Sequence, residues 1–365
     1  MLNPAVEQRA DEYRGQFWDA VPFPHLCIDE FLEPWAADQL LAQFPGFAGE
    51  QAINELGEVG GKAVFEALSD IGPFYKQMAA YLGSPEFAAF LSRATGIDGL
   101  MWGGENMYGG GTHENLDGID LDPHVDFNYD DRTKLHRRLN VLLFLNREWD
   151  EAWGGQLELH ADPRDPARNH VRSFLPTFNR CVIFETTERS WHGFPRIVLP
   201  PDKKHLSRKS LAAYFYTRER PLETTAGAHT TLYVQRPLPS TVRPGEVLSR
   251  EDYDVVQELV HKRDVMIKLY QDIHVRDGAQ RDALERALAQ RAAQAEELDQ
   301  LLRERGAQAQ ALADTAEALR GEIGSLRAQL ATAGGASTGG GLRGVARTAR
   351  ARARRVLARI ASRRS

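Results

Sequence analysis

LDPHVDFN, residues 121–128, is the stretch on which the reading of the fold turns. His124 and Asp126 are separated by one residue, so on an extended strand both side chains leave the same face and can grip one metal ion. A further imidazole, His192 in SWHGFP (190–195), lies far along the chain. Only a fold that returns distant strands to one another can set it opposite the first pair, and a jelly roll, or double-stranded β-helix, does so. The predicted fold class is therefore α+β with a jelly-roll core.

The segments on either side agree. LNVLLFLN (139–146), QLELH (156–160), RCVIFET (180–186) and SLAAYFYT (210–217) are short runs rich in branched and aromatic residues, bounded by Gly, Pro, Asn or charge, and read as strands. Upstream, EPWAADQLLAQF (33–44) carries apolar residues at helical spacing with Pro34 suited to a first turn. Residues 65–96 read as two more helices punctuated by Gly83, Ser84 and Pro85, placed to buttress a sheet. The glycines of YGGGTHENLDGIDLD (108–122) suggest a mobile loop leading to the metal strand, a candidate substrate lid.

Two neutral imidazoles and one carboxylate hold Fe(II) on a single face and leave three coordination positions open. Arg208 adds a planar fork of donors that matches a carboxylate bidentately, and Ser210, two residues on, shares its face and offers a hydroxyl. A second His-x-Asp, His160 and Asp162, competes for the metal. It opens ADPRDPARN (161–169), whose Pro, Asp and Arg read as an exposed loop that would hold a metal badly, so His124 and Asp126 are the preferred pair.

The matching residues extend beyond the ligands. PFPHLCIDEFLEPWAADQLLAQFP (22–45), LDPHVDFN, RRLNVLLFLNREWDEAWGGQLEL (137–159), FNRCVIFETTERSWHGFP (178–195) and RKSLAAYFYT (208–217) follow in the order of a known family. From about Pro22 to Arg220 the chain resembles bacterial 2-oxoglutarate and Fe(II)-dependent oxygenases of the prolyl 4-hydroxylase-like group. The resemblance implies iron on His124, Asp126 and His192, and 2-oxoglutarate anchored by Arg208 and Ser210. It implies a reaction in which 2-oxoglutarate and dioxygen are consumed, succinate and carbon dioxide are released, and an aliphatic C–H bond of the substrate, a prolyl residue in the group, is hydroxylated. Ascorbate often sustains the ferrous state in such enzymes. Retention of Asp126 argues for hydroxylation, because the resembling halogenases replace that carboxylate.

Other residues in this region have plainer readings. Trp153, Gly154 and Gly155 are explained by a turn before QLEL. Tyr108 is as well suited to the core as to the cosubstrate. His113, His136, His170 and His205 have no carboxylate at strand spacing and read as surface or loop residues, and Arg137 and Arg138 as a solvated strand entry.

The 365 residues accommodate a catalytic domain of roughly 200 residues with appended segments. No apolar stretch approaches the roughly 20 residues of a membrane-spanning helix, and the charged N-terminus MLNPAVEQRADEYRG does not read as a signal peptide, which favours the cytoplasm. The two cysteines, Cys27 and Cys181, indicate no disulfide framework, and Cys181 reads as a small buried apolar residue.

The expected organisation is a dioxygenase domain over 1–220, an irregular arm and helix over 221–276, a coiled coil over 277–333, a flexible linker over 334–341 and a basic amphipathic helix or disordered tail over 342–365. Ser249 is a plausible cap for the helix. One heptad seam carries Leu288, Ala295, Leu302, Ala309, Ala316, Ile323 and Leu330; the other carries Leu284, Leu298, Leu312, Leu319 and Leu326, interrupted by Arg291 and Arg305. This predicts a homo-oligomer of open strand number. Past GGASTGGG (334–341), the last segment has nine arginines and no acid, with Leu342, Val345, Ala349, Ala353, Val356 and Ile360 on one helical face. An apolar stripe opposite arginines suits an anionic membrane surface better than nucleic acid. The net charge of −6 conceals this local reversal.

The expected partners are thus a small-molecule, glycan or peptide substrate, a second copy of the chain and a membrane surface. Two other functional classes fit parts of the pattern: a catalytically silent jelly roll on a coiled-coil scaffold or tether, and a hydrolytic or isomerising metalloenzyme using the same ligands with another metal.

Overall fold

The computed structural model describes residues 1–52, 60–105, 109–221, 225–239 and 241–334, together with 344, 347, 348, 351, 352, 354 and 355. The chain divides into two units, Met1–Asp264 and Val265–Ser365.

The first unit begins with helices whose starts are written in the sequence. Asn3 caps α1 (Pro4–Gln8) by accepting the Ala5 N–H at 3.0 Å. It is followed by α2 (Ala10–Asp19), α3 (Pro34–Ala42), α4 (Leu68–Ile71), α5 (Pro73–Leu82) and α6 (Pro85–Thr95). Four of the six, α1, α3, α5 and α6, open on proline, which has no N–H to leave unpaired at a first helical position. Ser84 caps α6 at its start, and Gly96 in the left-handed region ends it. The stretch 65–96, expected to hold two helices, holds three, because Gly72 and Pro73 interrupt it; α1 and α2 were not foreseen.

Thirteen strands follow among the described residues: β1 (His25–Ile28), β2 (Lys62–Phe65), β3 (Met101–Trp102), β4 (Gly111–Asn115), β5 (Leu121–Val125), β6 (Tyr129–Asp130), β7 (Leu135–Phe144), β8 (Leu157–His160), β9 (Val171–Phe174), β10 (Arg180–Glu185), β11 (Trp191–Phe194), β12 (Arg208–Thr217) and β13 (Leu232–Tyr233). They form two antiparallel sheets. The larger runs β1-β10-β7-β12-β4-β2, with β3 on β12 and β6 on β7; the smaller runs β13-β5-β11-β8-β9. This is the jelly-roll-like arrangement predicted from His124, Asp126 and His192.

Period-two alternation sorts the side chains of the large sheet. Leu139, Val141 and Leu143 of β7 and Leu211, Ala213 and Phe215 of β12 join one core cluster with Phe17, Leu40, Tyr75, Phe87 and Phe90 of the helices. Burial of each Leu, Val or Phe side chain among them contributes about 1.5–3 kcal/mol. The alternate residues face the smaller sheet: Phe144 of β7 and Val182 and Phe184 of β10 pack with Leu157 and Leu159 of β8 and Phe174 of β9. The candidate site lies in this second layer.

Two expectations are corrected. Half of the described part of 108–122 is strand and not loop, since β4 and the start of β5 occupy it. Gly111, at φ +95°, lies so close to the Phe65 carbonyl that no Cβ fits, so this glycine serves strand packing. Among its described residues, the arm between Arg220 and Ser249 is irregular except at β13, which pairs with β5.

Helix α7 (Arg250–Gly334) starts where Ser249 caps it: the Asp252 N–H donates to Ser249 Oγ at 3.0 Å. Within the Val265–Ser365 unit, the seam residues Leu284, Leu288, Leu298, Leu302, Leu312 and Ile323 are exposed in the single chain. Of the expected linker 334–341, Gly334 ends α7 and the rest lies outside the described residues, as does most of 342–365. Among the described residues no helix is long and apolar enough to cross a membrane.

Candidate metal centre

His124 of β5 and His192 of β11 are direct cross-strand partners, with ring centroids 4.2 Å apart. Cross-strand partners share a sheet face, so the register brings together two imidazoles 68 residues apart in sequence. Asp126 lies one residue past the end of β5, so the strand geometry expected for both ligands holds only for His124. Its carboxylate still reaches the pair: Oδ1 is 3.8 Å from His124 Nε2 and Oδ2 is 3.5 Å from His192 Nε2. One ligand atom from each of the three residues lies within 4.8 Å of the others.

The two imidazoles are held in one tautomer by the backbone. His124 Nδ1 donates to the Asp122 carbonyl at 3.0 Å and His192 Nδ1 to the Ser190 carbonyl at 2.9 Å. Each leaves Nε2, with its lone pair, directed at the cluster, the arrangement that second partners of metal-bound histidines impose. Burial, reinforced by His192, pushes the His124 imidazole down to about 3, and burial lowers His192 as well, so both are neutral near pH 7. Burial alone would raise Asp126, but Arg137, the imidazoles and the Asn140 hydrogen bond outweigh it and hold the carboxylate below its ordinary value. Two neutral nitrogen donors and one ionised carboxylate, all buried, are a donor set that suits Fe(II).

The carboxylate is oriented from β7. Asn140 Nδ2 donates to Asp126 Oδ2 at 2.7 Å, and Arg137 pairs with the same oxygen at 2.9 Å. Arg137 also donates twice to Asn140 Oδ1 and lies 3.5 Å above the Tyr214 ring. The expected solvated strand entry is thus wrong for both arginines: Arg137 is 1% exposed, and Arg138 is buried against Glu185. Strict alternation from Asn140 would send Arg137 outward; a bulge at Arg138 of β7, where the single step from Phe215 to Tyr216 in the neighbouring strand spans Leu139 to Arg137, brings it to the inner face, and no local signal announces that bulge.

Arg208 opens β12 on the same inner face. Its Nε donates to the Gly155 carbonyl at 2.6 Å, and its guanidinium stands over the rings of Phe194 and Phe144, at 4.4 and 5.0 Å. No carboxylate pairs with it among the described residues, and burial pushes it down to about 9, so it still carries its charge at neutral pH. A buried, unpaired guanidinium is costly, which is what a site awaiting a carboxylate must carry. Ser210, buried one step along the face, lies beside it as expected. Gly155 is both turn and site: at φ +72° it allows the turn, and a Cβ there would press on Arg208 Cδ at 3.3 Å.

The competing pair is separated. His160 ends β8, buried against Glu158 and Asn169, whereas Asp162 lies in the loop, engaged by Arg164 and Arg168. His170 and His205 are exposed, as read from the sequence. His136 is a half-buried strand residue beside Tyr129. His113 departs from its surface reading: it sits on β4 opposite Ser210, and burial pushes it down to about 3. Cys181 is buried as expected. Tyr108 lies outside the described residues. Tyr233, not singled out in the sequence, stacks on His124 at 5.2 Å from the cross-strand position in β13.

Residues 110–216 match the family described as the 2OG-Fe(II) oxygenase superfamily. A mouse protein, prolyl 3-hydroxylase OGFOD1, is 29% identical over 113 residues, covering 28% of this chain and 20% of the relative; the match thus spans about a fifth of that protein. Among solved structures, a Trichoplax adhaerens prolyl hydroxylase in complex with a hypoxia inducible factor peptide is similar at 17% identity and a TM-score of 0.41, covering 58% of this chain and 90% of that one. A Pseudomonas putida prolyl-4-hydroxylase is similar at 15% identity and a TM-score of 0.37, covering 57% and 100%. His124, Asp126, His192, Arg208 and Ser210 all fall inside the matched segment, and this chain carries a 2OG-Fe(II) oxygenase domain.

Proposed function

We propose that the protein is a 2-oxoglutarate- and Fe(II)-dependent dioxygenase that hydroxylates an aliphatic C–H bond, with a prolyl residue as the preferred substrate class. The observation that carries this is the pairing of a buried neutral-imidazole and carboxylate cluster with a buried, unpaired Arg208 on the facing sheet. A hydrolytic or isomerising metal site has no need of the second feature. The prolyl substrate is supported by the name of the mouse relative.

His124, Asp126 and His192 would hold Fe(II), while Arg208 and Ser210 would take the far carboxylate of 2-oxoglutarate. The bound metal and cosubstrate supply the redox chemistry that activates dioxygen and releases succinate and carbon dioxide. The protein's part is positional and electrostatic. Asn140 and Arg137 keep the Asp126 carboxylate ionised and turned inward; the Asp122 and Ser190 carbonyls keep Nε2 of each imidazole unprotonated. Phe144, Phe184 and Phe194 line the surroundings with rings that exclude water.

Succinate production from 2-oxoglutarate, dependent on Fe(II) and oxygen, is the direct test. Arg208→Ala should abolish it, whereas a hydrolase using the same ligands would keep its activity; absence of succinate with the peptides and metabolites offered, and with ascorbate present, would favour a silent scaffold module. We further propose that α7 self-associates through its exposed heptad leucines, that the basic terminal segment contacts anionic membrane, and that the protein acts on the cytoplasmic side. Sedimentation of Leu298→Lys and Leu312→Lys together, and liposome flotation with and without residues 342–365, test the first two.

A further inference from the structure

One polar row crosses the large sheet at the cosubstrate end. Lys62 of β2, Asn115 of β4 and Arg208 of β12 are successive cross-strand partners, so all three side chains leave the same face. That face is the inner one, because Arg208 stands over Phe144 and Phe194 on it. The middle member is anomalous. Asn115 is 1% exposed, yet its Oδ1 has no hydrogen-bond partner and its carboxamide makes no hydrogen bond among the described residues. Buried amides are nearly always paired, and one left unpaired between two cations marks a place where a ligand completes the set. The amide N–H is a donor left over, and the Arg208 guanidinium beside it pairs with no carboxylate among the described residues, so that ligand is an anion.

We infer that Asn115 is a further cosubstrate-holding residue, its carboxamide donating to the far carboxylate of 2-oxoglutarate beside the Arg208 fork. The inference rests on the cosubstrate reading above and adds a contact that neither Arg208 nor Ser210 supplies. An amide fits this place better than a third cation would. It contributes a directed N–H without adding repulsion to Lys62 and Arg208, and its oxygen can accept from the guanidinium once the carboxylate has drawn the groups together.

The test compares two oxo acids that share a metal-chelating end and differ at the other. Affinities of 2-oxoglutarate and 2-oxopentanoate, which lacks the far carboxylate, are measured by calorimetry on the full chain loaded with Mn(II). Wild type should prefer 2-oxoglutarate, and Arg208→Ala should erase the preference. Asn115→Leu should weaken 2-oxoglutarate about tenfold and leave 2-oxopentanoate unchanged; about tenfold corresponds to about 1.4 kcal/mol. No preference in wild type would overturn the cosubstrate reading and this inference with it. A preference lost in Arg208→Ala but intact in Asn115→Leu would overturn the Asn115 contact alone. Should Asn115→Leu not fold, a crystal structure of the wild-type Mn(II) and 2-oxoglutarate complex decides. The amide nitrogen within about 3 Å of the far carboxylate supports the contact, and a separation beyond hydrogen-bond reach removes it.

Discussion

His124 and His192 face each other across adjacent strands, each with Nδ1 tied to the carbonyl two residues before it: Asp122 for the first, Ser190 for the second. The same local device, repeated on two strands, aims two Nε2 atoms at one point. Loss of either ring should therefore cost the metal, not merely activity. In titrations with Fe(II) under anaerobic conditions, His124→Ala or His192→Ala should weaken binding by more than about 100-fold, beyond what loss of an outer partner costs. His160→Ala, whose ring is engaged by Asn169 and Glu158, should bind as wild type. Equal losses in all three would point to unfolding rather than ligation.

Asn140 orients Asp126 without touching the cluster of Nε2 atoms itself. Asn140→Leu keeps approximate volume and removes the 2.7 Å hydrogen bond to Oδ2, along with the acceptor for Arg137. Metal affinity should fall about 10- to 100-fold while the cooperative melt is retained. An unchanged affinity would show that Arg137 alone suffices to hold the carboxylate.

Gly155 and Gly99 both have left-handed backbones, but only Gly155 has neighbours where a Cβ would go. Alanine at either position should lower stability by roughly 1–2 kcal/mol through the backbone. Gly155→Ala should in addition displace Arg208 and weaken 2-oxoglutarate binding; Gly99→Ala should leave binding alone. Identical ligand affinities for the two variants would argue against the coupling of Gly155 to Arg208.

His113 gives the metal-free protein part of its acid sensitivity. Its folded value of about 3 lies below the ordinary 6.5, so between these pH values the unfolded chain binds a proton that the folded chain refuses. The stabilisation is complete above about pH 6.5 and is lost as pH falls toward 3, with a slope of up to about 1.4 kcal/mol per pH unit. His124 and His192 act in the same direction. Denaturant melts of His113→Gln between pH 7 and 4 should show a slope shallower by up to that one-proton amount, and an unaltered slope would mean that the His113 ring is hydrated in solution.

The cluster of His124, Asp126 and His192 could be read from the sequence chiefly because metal chemistry restricts the residue types, for the period-two geometry expected of the first pair holds at His124 and not at Asp126. His124 had to share a face with its partner, and Arg208 and Ser210 had to share another. Long strands such as β7 and β12 declared themselves through branched and aromatic runs. What escaped reading depended on register between segments distant in sequence. Nothing local distinguishes Arg137 from a solvated arginine; its burial follows from Tyr214 and Asp126 arriving from other strands. His113 was hidden likewise among glycines that looked like a loop, although Gly111 is required by the backbone of Phe65. Asn115 is silent in the sequence, since an asparagine in such a stretch suggests a turn.

The pairing of β13 with β5 has a practical meaning for how the protein is cut. Leu232 and Tyr233 occupy the outer side of the strand that bears His124, and the Val234 N–H extends the contact to the Pro123 carbonyl at 2.8 Å. A fragment stopped at residue 220 would bare that side and present unpaired N–H and C=O groups to any passing chain, an invitation to edge-to-edge aggregation. Soluble expression of the oxygenase portion therefore calls for an end point near residue 264.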